Sequence, residues 1–386
     1  MKVVHLSTTD YGGAYIAAER ISESMKKTGI DSKILVRTKT KDTACSEYFN
    51  NPLQRFVSKA GNVFNLVLSK RLFTTDAFGT DVSRDPRIKE ADVIVLHWVN
   101  SFLSYTSVRR LLRSGKPVIW VMHDMWPFTE GWHYEPMDGA RSSLIGTCNL
   151  KAKIRMFKEG NITMVGPSRW ITGCASKSPV LEGKNIVNIP NPIDTDQFIR
   201  RDKKELRAKY SLPSDKHIIL FGAVNINNKR KGFDLLLDAL KGLDPSRYIL
   251  CTFGGKEAPA VLPPAFECRD LGFINSRDTM IDIYSMADVY VIPSRQENLS
   301  NSILEAMSCS LPVVAFDIGG MPDMIKPGEN GYLARPFDHD DLARGIEECT
   351  DRMDEYGRDC RKYMLDEFSL EHIGRRYKEL LEEEII

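Results

Sequence analysis

Short apolar runs recur along this chain, and most of them close on a glycine, a histidine or a polar cluster before a helical stretch begins. Lys2–Ser7 is the first. Gly12-Gly13 follows, then a stretch with Ile16, Ala17, Ile21 and Met25 on one helical face, then a second run at Ser32–Arg37. Strand, glycine turn, helix and strand make a βαβ unit. The runs Val93–His97, Val118–His123, Met164–Pro167 and Ile186–Ile189 are continuous rather than alternating. That pattern suits a parallel sheet covered on both faces. The chain is therefore expected to be α/β and doubly wound.

The stretch Ile189-Pro190-Asn191-Pro192-Ile193-Asp194 interrupts this rhythm. Two prolines fix the backbone and remove donors, so it reads as a linker. Beyond it the alternation resumes, with strands at Ile218–Gly222, Tyr248–Phe253, Val289–Pro293 and Pro312–Phe316. Helices are expected at Gly232–Leu240, Thr279–Met286 and Asn301–Ser308. The boundaries expected are 1–190, 191–368 and an amphipathic, charged tail helix over 369–386. A chain of 386 residues suits two domains of about 100–200 residues each.

A net charge of +1 gives no global case for a nucleic-acid binder. No apolar window reaches the roughly 18 residues of a membrane span, and the first residues read as a strand rather than a signal peptide. The eight cysteines are scattered, without C-x-x-C. Reduced thiols in the cytoplasm are the simpler reading. Arg55, Lys59, Lys70 and Arg71 surround Phe56, Val57, Val63, Phe64, Leu66 and Val67. This basic amphipathic segment suits either an anionic membrane surface, as at the inner face of a cytoplasmic membrane, or ordinary packing on the domain.

Ligands of open α/β sheets bind outside the carboxyl ends of the strands. The loop after Val289–Pro293 carries Glu297, Asn298, Leu299, Ser300 and Asn301, and Glu305 follows within the next helix. Ser300 and Asn301 stand where that helix starts. The amides there, with the positive end of the helix dipole, suit a diphosphate. An ionised carboxylate only accepts hydrogen bonds, so Glu297 suits sugar hydroxyls and Glu305 ribose hydroxyls. Taken alone, Ser302-x-x-Glu305 also fits a capping box, and Glu297 also fits a solvated loop. Upstream, Lys229-Arg230-Lys231-Gly232 opens a helix after a strand. A cation there can neutralise a departing diphosphate, or it can belong to a plain basic turn.

The stretch from Glu297 to Glu305, with seven residues between the glutamates, resembles the signature of the family-4 (group 1) retaining glycosyltransferases. Leu311–Gly320 and Asn330-Gly331-Tyr332-Leu333 match as well. The resemblance implies the GT-B fold: two Rossmann-like doubly wound domains facing a cleft, with the tail helix returning to the first. It implies that Glu297 contacts the donor sugar, that Glu305 holds the ribose and that Lys231 sits on the diphosphate. Where the family carries an arginine about five residues earlier, this chain reads Val224-Asn225-Ile226, and Arg230 is the candidate replacement. Ile274, in Gly272-Phe273-Ile274, lies in the turn that the family places against the base.

In the first half, Gly12 and Gly13 suit a close backbone approach to a ligand, or a plain βα turn. There is no G-x-G-x-x-G. Met122–Tyr134 is rich in aromatics and histidines for a loop and resembles a subgroup found in bacterial exopolysaccharide and capsule biosynthesis. Its histidine after the strand, here His123, is implied to face the donor sugar. His123 also fits a hydrogen-bonded core residue. Asp124, Trp126 and Trp132 are candidates for the acceptor side, an exposed tryptophan pair being expected either to pack or to bind. His97 and Trp98 divide evenly between acceptor contact and packing. Of the cysteine-bearing insert of that subgroup only Cys148 is present. Asp194-Thr195-Asp196 and Asp338-His339-Asp340 spell D-x-D and read as structural, so no metal and no cofactor are expected. A retaining transfer from a nucleotide sugar to a saccharide or lipid-linked acceptor follows from the resemblance. A nucleotide-sugar 2-epimerase, a non-catalytic binding subunit and a phosphorylase are the rivals.

Overall fold

The computed structural model describes residues 1–40, 45–49, 73–137, 139, 143–255 and 266–385. They form two compact units, Met1–Pro192 with Leu370–Ile386, and Ile193–Ser369. The first is built on one sheet of β1 (Lys2–Thr9), β2 (Asp31–Thr38), β3 (Ser46–Tyr48), β4 (Val93–Leu96), β5 (Val118–Val121), β6 (Thr163–Gly166) and β7 (Asn185–Asn188). The spatial order is β3-β2-β1-β4-β5-β6-β7, and every pairing is parallel. The continuous apolar runs are what this geometry needs: β4, β5 and β6 are buried along their whole length. One face carries Leu6, Ile94, Leu96, Val118, Trp120 and Met164. The other carries Val3, Val93, Val95, Ile119 and Val121, and onto it close Ile21 and Met25 of the Gly13–Lys27 helix. The Leu370–Ile385 helix completes that layer with Ile373, Tyr377, Leu380 and Leu381.

The second unit holds β8 (His217–Gly222), β9 (Tyr248–Phe253), β10 (Glu267–Asp270), β11 (Val289–Ile292), β12 (Val313–Phe316) and β13 (Gly331–Ala334). Their order is β10-β9-β8-β11-β12-β13, again all parallel. Counted from β8, this is the 3-2-1-4-5-6 order of a Rossmann sheet, whose topological switch lies between the first and fourth strands. In the two units those are β1/β4 and β8/β11. The apolar periodicity does not announce β3 or β10. β10 is a charged, largely exposed edge strand, and an edge needs no apolar run.

Both D-x-D triplets serve backbone turns. Asp194 accepts the amides of Asp196 and Gln197 at 3.1 Å each, and Asp338 caps the His339–Asp351 helix through Asp341 N. The basic amphipathic segment around Phe56–Arg71 lies outside the described residues. All eight cysteines are free thiols, and among the described residues no helix is long and apolar enough to cross a membrane.

Candidate active site

In the second unit, the loops after β8 and β11 leave the sheet side by side at the switch point. Two close backbone approaches fasten them, the first joining these loops to each other and the second joining the loop after β11 to the loop after β12. A Cβ on Gly232 would stand 1.8 Å from Pro293 O, and one on Gly319 would stand 2.1 Å from Glu297 O. Both glycines also have positive φ, 71° and 53°. Only glycine fits at either position, because a side chain would be both strained and in collision. Arg295 fastens the same contact: its guanidinium grips Asp234 at 2.8 and 2.7 Å and the Lys229 carbonyl at 2.7 Å.

This packing delivers Lys231 and Arg230 to Glu297. Lys231 Nζ donates to Glu297 Oε2 at 2.6 Å, and Arg230 Nη1 reaches the same oxygen at 3.3 Å and the Gln296 carbonyl at 2.8 Å. Glu297 is 8% exposed. Burial pushes its carboxyl up, but the two cations outweigh burial and hold it below the ordinary carboxylate range. The solvated-loop reading of Glu297 therefore fails. So does the plain basic turn, since two of its three cations converge on one carboxylate.

The helix that follows spans Asn301–Ser308 with Ser300 at its N-cap. Ser302 lies inside the helix, so Ser302 and Glu305 cannot form a capping box, whose serine must precede the first turn. Glu305 instead accepts from Tyr284 Oη at 3.0 Å. Ser300 makes no side-chain cap, and its hydroxyl lies 2.9 Å from that of Ser302. Asn298 is buried beside it. The Leu299 side chain turns into the core among Ile303 and Leu304, which leaves only its backbone for a ligand. Ile274 packs half-buried on that same core.

The first unit carries a different cluster. His5 on β1, His97 after β4 and His123 after β5 stand in series. His5 Nδ1 lies 2.8 Å from His97 Nε2, and His97 Nδ1 lies 2.9 Å from His123 Nε2. Burial lowers all three, His5 to about 3 and His123 to about 4, so they are neutral at pH 7. His97 spends both ring nitrogens in this chain, which removes it from the acceptor candidates. Gly12 opens the first helix at φ 87° with open space where a Cβ would stand, and Gly13 starts that helix.

The aromatic loop divides. Trp126 is 1% exposed, its indole donates to Thr74 O at 3.1 Å, and Tyr105 stacks on it. Lys153 Nζ lies 3.6 Å over the ring. Trp126 is thus a core residue and not part of an exposed pair. Asp124 also turns inward, accepting from Trp126 N at 2.9 Å and His133 Nδ1 at 2.6 Å, so both its oxygens are engaged. Trp98 and Trp132 are half-buried, Trp98 tilted over His133 and Trp132 edge-on to Phe73. Cys148 is exposed on the Leu144–Phe157 helix. Sequence reasoning passed over His5, although a lone histidine within Val3-Val4-His5-Leu6 was a usable signal. Tyr284, Arg295 and Lys153 gave no signal at all.

Residues 215–352 match the family model Glycosyl transferases group 1. D-inositol 3-phosphate glycosyltransferase of Mycolicibacterium smegmatis is 30% identical over 178 residues, 43% of this chain and 40% of that protein. N-acetyl-alpha-D-glucosaminyl L-malate synthase of Bacillus anthracis is 26% identical over 207 residues, 52% of this chain and 54% of that protein. The chain spans about half, or less, of the length of these curated relatives. Over the whole chain, HepE of Anabaena, solved with UDP-glucose, superposes at a TM-score of 0.69 and 17% identity, covering 99% of this chain and 100% of that one. The pneumococcal O-GlcNAc transferase GtfA, solved with UDP and GlcNAc, gives 0.64 and 12%, covering 100% and 99%. The second unit is a group 1 glycosyltransferase domain, and the chain as a whole has the GT-B fold.

Proposed function

We propose that this chain is a retaining glycosyltransferase that moves a hexose-type sugar from a UDP- or GDP-sugar to a saccharide or lipid-linked saccharide in surface polysaccharide biosynthesis. The observation that carries this reading is the buried Glu297 carboxylate with Lys231 and Arg230 on one oxygen, beside a helix start whose N-cap Ser300 makes no side-chain cap. Lys231 and Arg230 stand in for the two positive contacts of the family, and both sit where a diphosphate arriving at the Asn301 helix would meet them. Arg230 thereby takes the part of the missing upstream arginine. Glu297 orients the sugar and Glu305 the ribose. His123 and the turn at Gly12-Gly13 serve the donor, and Trp98 and Trp132 serve the acceptor. UDP is the nucleotide we favour, because UDP or UDP-glucose fills the solved HepE structures and UDP that of GtfA. We place the enzyme in the cytoplasm, consistent with its eight free thiols, with contact to the inner membrane face through the basic segment.

The test is a thermal-shift screen with UDP, GDP, ADP and their sugars. Ligand at 100 times its Kd stabilises by about 2.7 kcal/mol, a readily measured rise in Tm. One nucleotide should raise Tm, and Glu305→Ala and Lys231→Ala should each abolish the rise. If no nucleotide shifts the wild type, the donor site is wrongly assigned.

A further inference from the structure

The three histidines at the strand ends form a directional chain. A neutral imidazole has one N–H and one bare nitrogen, and the bond made by one nitrogen fixes the state of the other. Both contacts in the series use opposite ring nitrogens of His97, so the three tautomers are locked together. Either every ring carries its proton on Nδ1 and donates toward His123, or every ring carries it on Nε2 and donates toward His5.

Three features choose between these states. His5 Nε2 is fully buried and has no hydrogen-bond partner. In the second state that atom would be an N–H with no acceptor, which native structures avoid more strictly than a bare acceptor. The charge of Lys26 acts on His5 and the charge of Asp124 acts on His123. A cation at the His5 end and an anion at the His123 end both draw protons toward His123. All three point the same way.

We propose that His5 and His97 are positioning residues that hold His123 as its Nδ1–H tautomer, so that the outer nitrogen of His123 acts as a hydrogen-bond donor and not as a base. That this donor serves the sugar rests on the function proposed above; the tautomer itself does not. In that setting His123 would hold a sugar oxygen without taking a proton from it, and its own charge would stay constant through transfer.

The experiment is a long-range proton–nitrogen spectrum of the full chain with 15N-labelled histidine at pH 7. With only seven histidines, His5→Phe, His97→Phe and His123→Phe assign the signals. The wild type should show His97 and His123 protonated on Nδ1 and bare on Nε2; a His123 protonated on Nε2 overturns the proposal. In His97→Phe, His123 should drift toward Nε2–H, the form free imidazole prefers, and an unchanged His123 signal also overturns it. If His97→Phe does not fold, the wild-type spectrum decides alone. With a donor in hand, His97→Phe should lower kcat roughly tenfold and leave nucleotide affinity unchanged, the usual scale for a residue acting through another. The two readings fail separately. The right tautomer without nucleotide binding sinks only the transferase reading, and nucleotide binding with the wrong tautomer sinks only the relay.

Discussion

Asp76 in the first unit and Glu297 in the second are both buried carboxylates, 1% and 8% exposed, and they are shifted in opposite directions. Asp76 accepts the Ser101 amide at 2.8 Å and an Asn100 amide hydrogen at 3.4 Å. These neutral donors, with more distant cations, do not offset burial, which lifts its carboxyl to about 7. Glu297 has Lys231 and Arg230 on one oxygen, and it stays ionised below the usual range. The histidine chain sides with Asp76, burial opposing the charged form in both. Asp76 and the three histidines of the first unit thus meet mainly neutral hydrogen-bond partners, whereas Glu297 of the second sits in a compact charged cluster. A departing diphosphate needs the second kind of surface; orientation of hydroxyls needs only the first.

The largest way to break this comparison lies in the first unit. Trp126→Ala removes a buried ring that stacks with Tyr105 and meets Lys153 Nζ, and should cost about 3–5 kcal/mol in urea unfolding. Trp132→Ala, at a half-buried ring, should cost clearly less; equal losses would show that the aromatic loop packs as one. Next is Glu297→Gln, which removes the charge that balances Lys231 and Arg230. Turnover of the donor found in the nucleotide screen should fall roughly 100-fold while the fold persists by circular dichroism.

The pH dependence of stability sharpens the contrast between the carboxylates. Between its ordinary 3.8 and about 7, folded Asp76 holds a proton that the unfolded chain has lost. Its contribution is complete below 3.8 and is lost as pH rises to about 7. Lys153, which burial lowers to about 7, is protonated in both states below that pH and adds no slope there. Asp76→Asn should therefore flatten the decline in urea midpoint between pH 4 and pH 7, and an unchanged profile would refute the assignment. The smallest effect is expected from Tyr284→Phe. It deletes one hydrogen bond to Glu305, about 1.5 kcal/mol for a charged acceptor, which is roughly tenfold in nucleotide affinity by titration calorimetry.

The two-fold repetition of the doubly wound pattern was legible, because a strand covered on both faces must be apolar throughout. The loop after β11 stood out as a candidate site by its resemblance and by its place after a strand. Glu305 was ambiguous in sequence, since Ser302-x-x-Glu305 spells a cap; the hydrogen bond it accepts from Tyr284 was not legible there. Trp126 and Trp132 look alike in a string of letters. Their fates differ because only one finds Tyr105, Lys153 and Thr74 O around it.

What the sequence determined by itself is local. Apolar runs, glycines and helix faces set the elements, their parallel pairing and the position of each candidate residue at a strand end. What the tertiary structure decided is which side chains share an atom. Glu297 and Lys231 are 66 positions apart, and His5 and His97 are 92 apart. No periodicity encodes such distances. They arise because first and fourth strands become neighbours at the switch point, and there the dielectric and the near charges set whether each group is ionised or neutral.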